Sequence, residues 1–398
     1  MSTDALRLPG AVAEQDRPAV AAHFGSPPHE QRALIAGRAV VVLPDHGVVA
    51  VAGPDRLRLL DSLTSQSLAG LAPGVGAESL LLDPHGRIEQ VLRVLDDGTT
   101  AWLLLDPGRA EAVAGFFDRM RFMLDVRVSD ESARFVTVGA FAAADDPEAL
   151  ADAAAVLGGR AQPALALLDE HAARPAGEPL IWRDPWPQLV PGGWQYAPAA
   201  AAARSASGWR YREALVEHEA LPGLLDELEG AGVAPAGLRA LTALRIEAHR
   251  PSAWTELDER AIPHEFDWLR SAVHLDKGCY RGQETVAKVH NLGHPPRRLV
   301  MLHLDGSVEH LPEHGDIVWS SDAAGQRTKA GLITVAARHH ELGPIALALL
   351  KRSVPVDETL TVVSGPENAR VDIAAAQEVI VPPDAGALAD VPRLPRLG

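Results

Sequence analysis

Cysteine is nearly absent. The 398-residue chain holds a single one, Cys279, which excludes an intramolecular disulfide, a CxxC redox pair and an all-cysteine metal cage within one chain. Lysine is scarce as well: of 37 basic residues only Lys277, Lys288, Lys329 and Lys351 are lysine, and the remaining 33 are arginine. No apolar run approaches the roughly 18 residues that cross a bilayer. The opening MSTDALRLPGAVAEQDRP has no basic stretch ahead of an apolar core, so no membrane span and no secretory signal are expected, and the default location is the cytoplasm. Positive charge is in deficit: 37 basic against 53 acidic residues leave −16, which argues against direct capture of nucleic acid by a broad positive surface. The chain also lacks GxGxxG after a strand, GxxxxGK[ST], HExxH, GxSxG and an EF-hand loop. Dinucleotide redox chemistry, P-loop hydrolysis and serine hydrolysis therefore have no local support.

What is present is globular: 47% hydrophobic and 23% charged residues, in a chain long enough for two or three domains. Residues 1–35 carry Pro, Gly and charge without periodicity and read as a lead-in. The apolar runs at 38–44 and 48–52, parted by Asp45-His46-Gly47, predict a hairpin. A helix is expected from Pro54 to about Ser65, with Leu57, Leu60 and Leu63 on one face. Strands follow at 78–82, 88–95 and 100–105, the last two joined by Asp96-Asp97-Gly98, and then a helix from Arg109 to about Phe122. Helices are also expected at Pro147–Leu157, Pro222–Glu229 and Ala236–Ala243. Strands and helices in this order with tight turns favour an antiparallel α+β fold. Beyond His294-Pro295-Pro296, five short strands (300–304, 316–320, 330–336, 345–350 and 359–363) predict a small β-barrel or sandwich. The expected division is a lead-in at 1–35, two interleaved α+β domains at 36–294, a barrel at 295–381 and a proline-rich tail at 382–398.

Charge turns positive in one place. Between Pro263 and Asp305 six Lys/Arg face five acids, with five histidines beside them, and Cys279 lies in this segment. In Asp276-Lys277-Gly278-Cys279-Tyr280-Arg281-Gly282-Gln283-Glu284, two glycines straddle the cysteine, which favours a turn where backbone approaches something closely. If the stretch is extended, Lys277, Cys279 and Arg281 share a side, and two cations would favour the thiolate. The competing reading is a buried structural cysteine. His290 and His294 have helical ligand spacing, but Gly293 and Pro295 break the helix, and no metal site is expected.

Lys277-Gly278-Cys279-Tyr280-Arg281-Gly282-Gln283-Glu284 resembles the K-G-C-Y-x-G-Q-E signature of the YgfZ family of folate-binding proteins, relatives of the glycine-cleavage T-protein, an aminomethyltransferase. The segment from Ala236 to Ala248 resembles a T-protein helix and strand ending in L-R-L-E-A-G. Gly331-Leu332-Ile333-Thr334 and Ile345-Ala346-Leu347-Ala348 resemble that superfamily's C-terminal barrel. The resemblance implies a T-protein-like α+β ring of three domains with mostly antiparallel sheets, and it implies tetrahydrofolate as cofactor. It also implies a role in making or repairing iron–sulfur clusters in client enzymes, including tRNA-modifying ones.

Cys279 and Lys277 would be the functional pair. Arg245 would contact folate, with Glu247, Tyr280, Gln283 and Glu284 as further candidates. The alternative for Arg245 is an ordinary surface pair with Glu247. Where T-proteins carry a catalytic L-D-D aspartate pair, Glu89 and Gln90 stand here, which departs from aminomethyl transfer. Pro191 to Tyr196 only loosely replaces the T-protein G-Y-T-G-E-D-G stretch. Two further readings remain: a folate-dependent aminomethyltransferase or demethylase with Glu89 as general base, and a cysteine hydrolase using His274.

Overall fold

The structure, a computed structural model, describes residues 4–143, 162–321 and 325–389. The helix expected at 147–157 lies outside them. Two five-stranded sheets and a closed six-stranded barrel carry the architecture. The first sheet runs in the order Ile181–Arg183, Tyr211–Glu217, Phe135–Phe141, Ala39–Leu43, Ala234–Pro235, and the second in the order Gly76–Leu82, Ile88–Asp96, Thr100–Leu105, Gly47–Ala52, Arg127–Asp130. Only the Ala39–Ala234 pairing in these sheets is parallel. The fold is thus α+β with mostly antiparallel sheets and a C-terminal barrel. The second sheet is inserted whole between two strands of the first, so the two bodies interleave along the chain.

The hairpin expected at Asp45-His46-Gly47 does not form. Ala39–Leu43 pairs with Phe135–Phe141, while Gly47–Ala52 pairs with Thr100–Leu105 and Arg127–Asp130. A connection this short needs a left-handed residue to reverse the chain within one sheet. Gly47 is not among the positive-φ glycines, and the chain steps across into the second sheet instead. By contrast Gly98, at φ +94, closes the expected hairpin between Ile88–Asp96 and Thr100–Leu105.

The stretch before residue 36 is organised. It carries a short strand pair, Val12–Ala13 with Ala21–His23, and a helix, Pro27–Ile35, whose Leu34 is fully buried. That helix joins Leu238–Glu247 and barrel residues such as Met301, Ile345 and Leu347 in the core shared by the three bodies. The barrel has six strands, not five. Val371–Val379, with three successive alanines and low strand propensity, closes it by pairing with Arg297–Leu304 and Leu360–Ser364. Gln283–Leu292 forms an additional helix that ends at Gly293. The described part of the tail docks on it, Leu388 N–H donating to the His290 carbonyl.

Helix Leu238–Glu247 runs on through the segment where a strand was expected by resemblance. It ends in a reversal: His249 N–H donates to the Ile246 carbonyl and Arg250 N–H to the Arg245 carbonyl, with His249 left-handed at φ 56. This pairing is the Schellman arrangement, here with histidine where glycine is usual. It throws Arg250 back toward the two sheets.

Gly237 begins this helix where a Cβ would lie 2.3 Å from the Ala22 carbonyl oxygen. Gly237→Ala should therefore cost about 1–3 kcal/mol through overpacking, read as a lower urea midpoint at unchanged slope.

Candidate functional site

A half-open cavity of about 910 Å³ lies where the three bodies meet. Its walls come from both sheets, from helix Leu238–Glu247 and its reversal, and from barrel residues Thr334 to Arg338, while Glu14 to Arg17 of the N-terminal segment lie along its edge. Aromatic rings and buried charge line it together.

The charges are arranged around two arginines, Arg250, which is buried, and Arg93, which is partly so. Arg250 donates through Nη2 to Glu78 Oε1 at 2.5 Å and through Nε to Asp184 Oδ2 at 3.0 Å, with its guanidinium 5.1 Å from the Trp186 ring centroid. Trp209 Nε1 donates to the same Asp184 oxygen at 2.7 Å, and Ser271 Oγ to Glu78 Oε2 at 2.7 Å. Arg93 sits 3.3 Å from Glu213 and 3.5 Å from Asp106. Its Nη2 lies 3.4 Å from Nδ1 of His46, whose pKa is held well below the ordinary value by burial and then by Arg93 and Arg17. His46 is therefore neutral. Burial raises the carboxyls of Glu78 and Glu213, against the pull of their arginines. A recess of this size lined by carboxyls and indole rings suits a flat heterocycle with N–H donors.

Arg245 lines this cavity. It does not pair with Glu247. Its Nη1 donates to Glu256 Oε2 and to the Arg250 carbonyl, both at 2.8 Å, and its Nη2 to Thr255 Oγ1 at 3.0 Å. Glu256 in turn accepts from Thr334 Oγ1 of the barrel at 2.8 Å. Glu247 lies 3.2 Å from His339 Nε2 of the barrel and is not part of the cavity wall.

The other sequence-derived candidates also lie outside that wall. Lys277, expected beside the thiol, turns its ammonium to backbone carbonyls. Its ammonium donates to the carbonyls of Asp61 (2.5 Å), Thr64 (2.9 Å) and Gln66 (2.7 Å) and approaches Asp61 Oδ1 at 3.3 Å. It caps the C-terminal end of helix Arg56–Leu63, where carbonyls lack partners and the dipole favours a cation. Burial lowers its pKa, and Asp61 opposes this.

Tyr280 is buried with its ring 5.4 Å from the Lys277 ammonium, and Gln283 Nε2 donates to the Lys277 carbonyl at 3.2 Å. Arg281 forks onto Glu89 at 2.7 and 3.2 Å. Gly282, at φ +83, packs so closely on the Asp83–Gly86 turn that a Cβ would meet the Asp83 carbonyl oxygen at 2.6 Å. The loop is thus pinned on both sides, with Cys279 and Glu284 exposed. The cysteine is not a buried structural one.

Glu89, the base candidate, is held by Arg281 away from the cavity wall. His274 accepts from the Asp276 N–H through Nδ1 at 3.2 Å, and His290 and His294 have separate partners in Tyr196 and the Ala385 carbonyl. Among the described residues, no group of three or more His, Cys, Asp or Glu is placed to hold a metal, and no helix is long and apolar enough to cross a membrane. Glu78, Arg93, Asp184, Glu213 and Arg250 were not found from the sequence. Their available signal is a charge inside an apolar run, as in Ala77-Glu78-Ser79-Leu80 and Leu92-Arg93-Val94.

No protein-family model matches the chain. An aminomethyltransferase of Rippkaea orientalis (strain PCC 8801 / RF-1) is 32% identical over 161 residues, 39% of this chain and 41% of that protein, so the chain spans less than half of that relative. An aminomethyltransferase of Rubrobacter xylanophilus is 28% identical over 306 residues, 75% of this chain and 71% of that one. The glycine cleavage system aminomethyltransferase T from Bartonella henselae superposes with a TM-score of 0.67 at 16% identity, covering 93% of this chain and 94% of that one. The superposition shows the fold, and with the two relatives it supports an aminomethyltransferase-like superfamily.

Lys277→Ala should lower stability by about 2–4 kcal/mol, since three carbonyls lose a charged donor, measured by urea unfolding. A pH effect is expected at Asp267. It is fully buried, accepts from the Tyr196 N–H at 2.6 Å, and burial pushes its carboxyl from 3.8 up to about 7. The folded state binds this proton more tightly than the unfolded chain does. The Asp267 contribution is therefore full below the unfolded value of 3.8 and lost as pH rises toward about 7. Asp267→Asn stays neutral and keeps an oxygen for Tyr196, so urea midpoints across this range should decline less in the variant than in the wild type.

Proposed function

We propose that the central cavity binds tetrahydrofolate, and that the chain is an accessory protein for the assembly or repair of iron–sulfur clusters in client enzymes, acting on them through Cys279. Folate-related function is supported by the aminomethyltransferase relatives and by the signature octapeptide. The donor set fits the ligand. Glu213, whose Oε2 lacks a hydrogen-bond partner, would accept from a pterin's N–H edge, Trp182 and Trp209 line the cavity beside it, and Arg245 would share its guanidinium between Glu256 and the carboxylates of a glutamate tail. Bound there, the folate would supply one-carbon chemistry. The chain's own residues would orient it and exclude water.

The observation that carries the accessory reading is the separation of thiol from cavity. Cys279 is exposed on a pinned loop outside the cavity wall, a position open to a macromolecule. One thiolate cannot hold a cluster alone, since the usual cage takes four cysteines, so Cys279 would serve as a transient ligand or nucleophile shared with the client. The transferase reading needs its base beside the folate, and Glu89 lies elsewhere, held by Arg281.

Calorimetric titration with tetrahydrofolate should show binding weakened at least ~10-fold by Arg245→Met or Glu213→Gln and unchanged by Cys279→Ala. In cells, Cys279→Ala should instead abolish the activity of cluster-dependent enzymes. Absent folate binding would remove the cavity assignment; normal client activity in the Cys279 variant would remove the thiol's role.

A further inference from the structure

Outside the cavity and the cysteine loop, the most exposed large apolar side chains among the described residues sit on a strained turn. After helix Ala110–Met120 the chain turns through Arg121-Phe122-Met123-Leu124. Phe122 is left-handed at φ 44, and it is 79% exposed while Met123 is 99% exposed. A non-glycine residue in that region carries a local cost of about 1–3 kcal/mol, and two large apolar side chains in water add to it. The loop is nevertheless rigidly tied. Leu124 N–H donates to the Arg121 carbonyl at 2.8 Å and Asp125 N–H to Asp55 Oδ2 at 3.0 Å, while Leu124 and Val126 pack into the core beneath. The knob is therefore held out, not frayed. Arg58, Arg119, Arg121 and Arg127 stand near it against Asp55, Asp118 and Asp125, with Arg121 paired to Asp118 at 2.8 Å and Arg58 to Asp55 at 3.9 Å, a collar one charge positive on a chain of −16.

A groove of opposite character lies on the barrel. It measures about 410 Å³ and runs between Leu304-Asp305, the Val356–Thr359 loop and strand Val371–Val379. Its floor is small and apolar because Ala374 and Ala376, exposed on the outer face of their strand while Ala375 between them turns into the barrel core, stand where longer side chains would fill it, and Val356 on its edge is 45% exposed. Its rim is acidic: Asp305, Asp357 and Glu358. Among the described residues that line it, His303 lies 3.2 Å from Glu378.

We propose that the chain associates with a second copy of itself head to tail, the Phe122–Met123 knob of one copy seating in the alanine-floored groove of the next. Both surfaces are open in a single copy, the shapes are projection and recess, and the collars carry opposite charge. The contact is heterologous, because different patches meet. It is small, and so weak and concentration-dependent, and salt screens its collars. Neither surface contributes to the cavity wall, so the proposal is independent of the folate reading.

Sedimentation velocity of the full chain at rising concentration tests it. At low salt the average sedimentation coefficient should climb with concentration, and high salt should suppress the climb. Met123→Asp, which blunts the knob, and Ala374→Arg, which fills and recharges the groove, should each weaken association at least ~10-fold at unchanged unfolding midpoint. Phe122→Ser and the double change Asp357→Lys with Glu358→Lys serve if either variant fails to fold. The decisive sample mixes a knob variant with a groove variant. Each pair then has one intact knob and one intact groove, so a one-to-one dimer should return and grow no further. A wild type that stays monomeric at all concentrations, association indifferent to both variants, or a mixture that remains monomeric would overturn the proposal. So would binding of wild type, but not Met123→Asp, to phosphatidylserine-containing vesicles, which would make the knob a membrane anchor.

Discussion

Arg250 is the constraint on which the rest of the molecule depends. Its guanidinium is 7% exposed and bridges Glu78 of the second sheet to Asp184, which follows the Ile181–Arg183 strand of the first. A buried arginine between two carboxylates stabilises little by itself, since desolvation offsets most of the Coulomb gain. Losing any member leaves uncompensated charge, however, and costs several kcal/mol. The network therefore acts as a registration device. It tolerates one relative placement of the two sheets, with Ser271 and the Trp209 indole filling the remaining acceptor positions. Arg250 reaches it only because His249 adopts a left-handed conformation at the helix end. That same reversal puts the Arg250 carbonyl in reach of Arg245, which is tied through Glu256 to Thr334 of the barrel. One chain reversal thus links all three bodies around the cavity.

Much of the fold was legible because it is locally determined. Alternating apolar runs with Asp-Gly punctuation read correctly as antiparallel strands, and the change of texture after Pro295 announced the barrel. What escaped was decided at long range. Asp45-His46-Gly47 looks like a hairpin turn, yet the flanking strands are buried on both faces and find better neighbours in different sheets. Val371–Val379 was missed because its alanines carry no strand signal, although they are what the barrel seam accommodates. The helix Gln283–Leu292 was obscured by Gly282 and Gly293, which turn out to be its two boundaries.

The site divides along the same line. The octapeptide identified the loop but not its internal geometry. Lys277 and Cys279 are two residues apart, and only in an extended chain would they face together. In the folded loop the lysine is drawn to the strongest nearby acceptors, the bare carbonyls at the end of helix Arg56–Leu63. Four oxygens around one ammonium leave it no further strong donor for a thiolate. The cavity charges escaped for a different reason. An isolated Glu78 or Arg93 inside an apolar strand reads as a surface-facing position until the third dimension brings the two families together.

The resulting arrangement separates two chemistries that a transferase would combine. The cavity wall holds neutral His46, protonation-prone carboxyls and arginines already committed to partners, a setting suited to recognition by shape and hydrogen bonding. The thiol stands exposed on a pinned loop whose Lys277, Arg281 and Gly282 attachments run to the end of helix Arg56–Leu63 and to the second sheet. That sheet also supplies Glu78 and Arg93 to the cavity. A ligand that reorganises the carboxylates of the wall would act on the Gly76–Leu82 and Ile88–Asp96 hairpin. The Asp83–Gly86 turn of that hairpin is the surface against which Gly282 is packed. Occupancy of the cavity and presentation of the cysteine thus share a physical element, and a route from cavity to thiol needs no contact between them.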